Sequence, residues 1–83
     1  MAYTFGEITR ALIELAIATP AMKVERKPRK KVIEIKMKNR GRYVTGQEVF
    51  NQLKFLYETM NKQTIEWKYL LYTVKDNCVE FSL

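Results

Sequence analysis

The sequence predicts one small α+β domain of order α-β-β-α-β-β, with a four-stranded antiparallel sheet that carries both helices on one face. Three observations lead there: two T-x-x-E motifs that each open an amphipathic stripe, two alternating segments joined by a short basic loop, and two apolar segments facing each other across Asp76-Asn77. Apolar residues at helical spacing and at strand alternation separate the two element types. With 83 residues the chain has room for one core and one domain, residues 1–83. At 47% hydrophobic and 12% aromatic it is too apolar to stay disordered in spite of a +6 net charge.

Each helix announces its own start. Thr4-Phe5-Gly6-Glu7 and Thr45-Gly46-Gln47-Glu48 are capping boxes, in which the Thr hydroxyl and the Glu carboxylate satisfy backbone N–H groups that have no partner inside the helix. Tyr3 with Ile8, and Val44 with Val49, supply the apolar staple that fixes how the chain approaches each cap. The first helix should run to about Thr19, because Pro20 disfavours helical backbone in the residue before it. Phe5, Ile8, Leu12, Leu15 and Ala16 form its core stripe, widened by Ile13 and Ile17. The second helix runs to about Asn61 with Val49, Leu53, Leu56 and Met60, widened by Phe50 and Tyr57.

Met22 to Lys27 and Lys31 to Lys38 alternate as strands do. A four-residue loop Lys27-Pro28-Arg29-Lys30 would pair Met22 with Ile35 and Val24 with Ile33, and would set Lys23 opposite Glu34. A two-residue loop is disfavoured because Pro28 cannot supply positive φ, and a three-residue loop turns one apolar set to solvent. Farther on, a two-residue Asp76-Asn77 turn pairs Val74 with Val79, Tyr72 with Phe81 and Leu70 with Leu83. Ile65, Trp67, Tyr69 and Leu71 run in the opposite phase, which implies a bulge near Tyr69 or a strand covered on both faces. A continuation of the second helix through Gln63 is the competing reading. The halves also coincide at an offset of 41 residues, Thr4 with Thr45, Glu7 with Glu48 and Leu12 with Leu53 among them. Internal duplication and the chance similarity of two capped amphipathic helices both account for this.

Several function classes fall away. The sequence has no histidine and one cysteine, Cys78, so neither a Cys/His nucleophile pair nor a zinc site is expected; Cys78 reads as a small buried strand residue. No acidic cluster, phosphate loop or dinucleotide turn is legible, and the chain is read as not an enzyme, without cofactor or metal. The longest apolar run, Ala11 to Ala18, is short and is interrupted by Glu14, so no membrane span is expected. No leader pattern opens the chain, which places it in the cytoplasm.

Charge is the remaining signal, and it is unevenly spread. Met22 to Arg42 holds ten Lys/Arg against Glu25 and Glu34, whereas the rest of the chain is net acidic. The candidate contact residues are Arg26, Lys27, Arg29, Lys30, Lys31, Lys36 and Lys38 on the hairpin, then Arg40, Arg42 and Tyr43 in a loop read as a flexible extension. Such a cationic arm repels itself unless an anion lies close, which favours a nucleic-acid phosphate backbone as partner. A solvated edge hairpin whose lysines prevent aggregation is the plainer reading, but four arginines and the Gly41-Arg42-Tyr43 run favour the first. The G-x-x-G loop of K-homology domains and the aromatic signature of RNA-recognition motifs are absent. A different class of function fits the same arm: a small protein of viral or mobile-element type that inhibits or adapts a host protein, such as a defence component, by docking on its acidic surface. Exposed sheet edges suggest a homodimer. Trp67 and Tyr69 flank Lys68 as a base-stacking platform would, although core packing is the commoner use of such rings.

Overall fold

The computed structural model describes residues 4–38, 41–62 and 66–82. Helix α1 (Phe5–Ala18) starts from the complete reciprocal box: the Thr4 hydroxyl accepts from the Glu7 N–H at 3.2 Å, and the Glu7 carboxylate accepts from the Thr4 N–H at 3.2 Å. It ends as the proline requires, with Thr19 extended and its N–H donating to the Ala16 carbonyl at 3.1 Å. Helix α2 (Gly46–Asn61) forms the hydroxyl half of its box, Thr45 accepting from the Glu48 N–H at 3.2 Å, and stops at Lys62 in the left-handed conformation. The continued-helix alternative thus ends before Gln63, which itself lies outside the described residues.

Strands β1 (Met22–Lys27), β2 (Val32–Met37), β3 (Tyr72–Val74) and β4 (Val79–Ser82) form one antiparallel sheet in the order β1-β2-β4-β3. The first hairpin has the expected four-residue loop, but it is Pro28 to Lys31. Met22 therefore pairs with Met37, Val24 with Ile35 and Lys27 with Val32, two residues away from the expected register. The turn decides this. Lys30 and Lys31 donate to the carbonyls of Lys27 and Pro28, each at 3.1 Å, and Lys31 then closes the loop at φ 56°. A slip of two leaves every side chain on its own face, so the apolar pattern could not tell the two registers apart. Lys23 consequently faces Lys36, and Glu25 faces Glu34.

The second hairpin pairs Val74 with Val79 and Tyr72 with Phe81, as expected, closed by the Lys75 N–H on the Cys78 carbonyl at 2.8 Å. The Leu70 to Leu83 pair ends outside the described residues. In place of a bulge, Trp67–Tyr69 is a turn of 3-10 helix. That turn is what reverses the phase of the apolar residues.

Ile33, Ile35, Val79 and Phe81 meet both helices in one core with Ile8, Leu12, Ala16, Val49, Phe50, Leu53 and Tyr57. The helical stripes are narrower than expected. Phe5, Ile17 and Met60, all in the end turns of their helices, are 50%, 65% and 68% exposed, whereas Ile8, Ala16 and Val49, also in end turns, are buried. Trp67 is buried under α2, its ring 5.6 Å edge-on to Phe50 and its Nε1 donating to Glu58 at 3.0 Å. It is therefore part of the core and not of a stacking platform. Tyr69, still exposed, leans on Phe5 at 5.6 Å. No described helix is long and apolar enough to cross a membrane.

Candidate nucleic-acid interface

Backbone register puts Lys23, Glu25 and Lys27 of β1, Glu34 and Lys36 of β2, and Glu80 of β4 on the sheet face away from the helices. Glu25, Glu34 and Glu80 form a row across three strands. Like charges directly opposite one another are unfavourable, and the lysines along the strands offset this. Lys27 meets Glu25 at 2.7 Å, Lys75 meets Glu80 at 3.2 Å, and Lys23 and Lys36 reach Glu25 and Glu34 at 3.8 Å. The hydrogen bond and charge of Lys27 hold the Glu25 carboxyl below its ordinary value, and Glu25 raises the Lys27 ammonium in return.

The predicted cations do not form one arm. They divide between the two ends of the hairpin, which five residue steps set roughly 17 Å apart. At the tip, Arg26, Arg29, Lys30 and Lys31 are exposed and no ion pair holds them among the described residues; Lys27 lies beside them, tied to Glu25. Arg26, Lys27, Pro28, Arg29 and Lys30 line a shallow open recess there. At the other end, Lys36 and Lys38 are joined by Lys23, Arg42 and Tyr43 around a groove of about 690 Å³ that has Val44 and Asn77 on its walls and no carboxylate in its lining. Arg40 lies outside the described residues.

Arg42 and Tyr43 are not a loose extension. Helix α2 is seated on the β3–β4 turn, Gly46 donating its N–H to the Asp76 carbonyl at 2.9 Å, and this brings the preceding loop against the same turn. The Tyr43 hydroxyl donates to the Asp76 carbonyl at 3.0 Å, and bonding to Asp76 raises the phenol above its ordinary value. Arg42 donates to the Glu48 carboxylate at 3.0 Å and to the Tyr43 carbonyl at 3.3 Å. Its guanidinium, with the Thr45 N–H after it, lowers the Glu48 carboxyl. The Tyr43 side is nevertheless 58% exposed.

Lys23 is the groove residue that sequence reasoning left out. Its signal was the register: only the observed pairing sets Lys23 beside Lys36, at the open end of the hairpin.

Cys78 is buried, as expected, immediately before β4, and its thiol lies within 4.8 Å of the Glu34 and Glu80 carboxylates, an arrangement with the donor types to hold a cation. Burial first, and then both carboxylates, push the thiol above its ordinary value and keep it protonated. Lys36 and Lys75 already balance the two acids, so the cluster ties β2 to the β3–β4 hairpin.

Compared with protein-family models, with curated proteins and with solved structures, the chain finds no match in any of the three.

Proposed function

We propose that this chain is a non-enzymatic, cytoplasmic nucleic-acid-binding protein that holds a phosphate backbone at both ends of the β1–β2 hairpin. The observation that supports this most is the division of the cations: a tip of exposed Arg26, Arg29, Lys30 and Lys31, and a carboxylate-free groove of Lys23, Lys36, Lys38 and Arg42. Duplex DNA carries one charge per about 1.7 Å of axis, so a cationic span of roughly 17 Å lies against several successive phosphates. Contacts of this kind are tolerant of sequence, since they position without reading bases. With no histidine in the chain and the one thiol held protonated, the residues offer anion binding in preference to proton transfer or nucleophilic attack.

Electrophoretic shifts over a salt series test the proposal. Affinity should fall steeply as salt rises, and the double variant Arg29→Glu, Lys30→Glu should bind more weakly with a shallower slope. Absence of any shift at low salt overturns it.

The inhibitor reading draws on a different observation, the exposed Phe5 and Tyr69 rings in contact at 5.6 Å, which suit a protein surface. It expects affinity for nucleic acid no better than that of a generic polycation, and loss of one specific protein partner on the same charge reversal. A homodimer, on either reading, would use the β3 edge, because Lys23, Arg26 and Lys27 on β1 repel a second copy of that strand. Light scattering giving a monomer mass at high micromolar concentration removes it.

A further inference from the structure

We propose that the groove beside Tyr43 takes one unpaired nucleotide of a nucleic-acid strand, its base stacked on the Tyr43 ring and its phosphate held by Lys23, Lys36 and Lys38. This rests on the nucleic-acid reading and deepens it: backbone contacts alone would hold a single strand equally with or without its bases, and a stacking ring does not.

Three features of the groove point to that occupant. The first is the ring itself. Tyr43 is more than half exposed, yet its hydroxyl is bound to the Asp76 carbonyl and its own carbonyl to Arg42, so the side chain is ordered before any ligand arrives. Among the described residues no aromatic ring stacks on it and no cation sits over it, in contrast to Tyr69, which has both Phe5 and Lys68. An ordered, unstacked ring loses little conformational entropy on binding. The second feature is charge. Lys23 and Lys36 are direct cross-strand neighbours, each held only at 3.8 Å by a glutamate of its own strand, and Lys38 adds a third ammonium without an ion pair among the described residues. A phosphate bridging them relieves that repulsion. The third is size: about 690 Å³ falls in the range of small-molecule sites and admits a base, a sugar and a phosphate.

A strand fits better than a free nucleotide. The second cationic cluster lies roughly 17 Å away along the hairpin, a distance that only a chain of phosphates spans. In a duplex both faces of a base are taken up by stacking, so the ring can be used only where bases are unpaired.

Fluorescence anisotropy on three probes of equal length decides it: a single-stranded oligonucleotide, the same backbone with abasic sites throughout, and a duplex. The unaltered protein should bind the single strand roughly tenfold or more tighter than the abasic strand, the size expected of one base on an aromatic ring. Tyr43→Ala should erase that preference while leaving affinity for the abasic strand unchanged, and Tyr43→Phe, which keeps the ring, should retain most of it. Circular dichroism melting checks that the variants fold, and the comparison of the three probes with unaltered protein needs no variant. Equal affinity for normal and abasic strands, with the steep salt dependence intact, overturns the stacking groove and leaves the backbone reading standing. No binding to any probe at low salt overturns both.

Discussion

Gly46 donates its backbone N–H to the Asp76 carbonyl at 2.9 Å, and the first turn of α2 lies so close to the β3–β4 turn that a Cβ at Gly46 would run into the carbonyls of Lys75 and Cys78. The contact seats the helix and, through Tyr43, the wall of the groove. Gly46→Ala should therefore destabilise the fold by at least the ~1–3 kcal/mol typical of overpacking. Gly6→Ala is the control, because a Cβ there meets nothing closer than the Thr4 hydroxyl at 4.0 Å, and its effect should be neutral to slightly stabilising. Denaturant midpoints compare the two. A parent-like midpoint for Gly46→Ala would mean that α2 does not rest on this turn.

Leu53 and Phe55 are two residues apart on α2, and they should behave oppositely. Leu53 has no exposed surface, whereas Phe55 is 64% exposed. Truncating Leu53 to Ala leaves a core cavity and should cost about 2–5 kcal/mol. Phe55→Ala should stay within about 0.5 kcal/mol of the parent. Equal losses would place the buried face of the helix elsewhere.

The caps, the periodicities and the Asp76-Asn77 turn were legible because each is written in a few adjacent residues. Thr4 with Glu7 forms its box, and Val74 with Val79 finds its partner through a turn too short to allow another register. The first hairpin was legible only up to a shift of two, since the apolar alternation repeats at that step and the conformation of Lys31 was needed to choose. Trp67 packs in the core, the commoner use of such a ring, but its segment reads as a bulged or doubly covered strand for a related reason: a 3-10 turn keeps neither period. The groove was the least legible feature. Lys23, Arg42, Tyr43 and Asn77 are brought together by the seat of Gly46 on Asp76, a long-range contact between parts of the chain that share no local pattern.

Lys31 adopts φ 56° at the end of the hairpin loop, a conformation that a side chain makes costly and glycine does not. Lys31→Gly should raise stability by up to about 1 kcal/mol even as it removes a tip cation. Thermal or denaturant unfolding reads this directly. A loss of stability would argue for the alternative register, in which Lys31 is an ordinary strand residue.

Arg42 sets the protonation of Glu48. The carboxyl is held below its ordinary glutamate value in the folded chain, so the contribution of this contact to stability is complete above the unfolded value and is lost as pH falls through the lowered folded one. In a carbon-detected NMR titration Glu48 should titrate below the ordinary glutamate range, and Arg42→Gln should move it upward. An unchanged Glu48 midpoint in Arg42→Gln would mean that the 3.0 Å ion pair does not persist in solution.

The last prediction separates the two ends of the hairpin. At 0.1 M salt the screening length is about 10 Å, shorter than the roughly 17 Å between tip and groove, so the two cationic clusters should act on a bound strand almost independently. Removing a cation that neutralises one phosphate lowers the slope of log affinity against log salt by about 0.7–0.9. Neutralising Arg29 and Lys30 at the tip, or Lys36 and Lys38 at the groove, should each release up to two phosphates, and the quadruple variant should show the sum. Lys62→Gln, at the exposed end of α2, should leave the slope unchanged. The groove pair carries a complication that makes the test sharper. Lys36 also reaches Glu34 at 3.8 Å, so its removal leaves a carboxylate less screened on the sheet face and should weaken binding somewhat more than the tip pair does. If one pair alone accounts for the whole change in slope and removing the other leaves it unaltered, then one end only is engaged and the strand does not run the length of the hairpin.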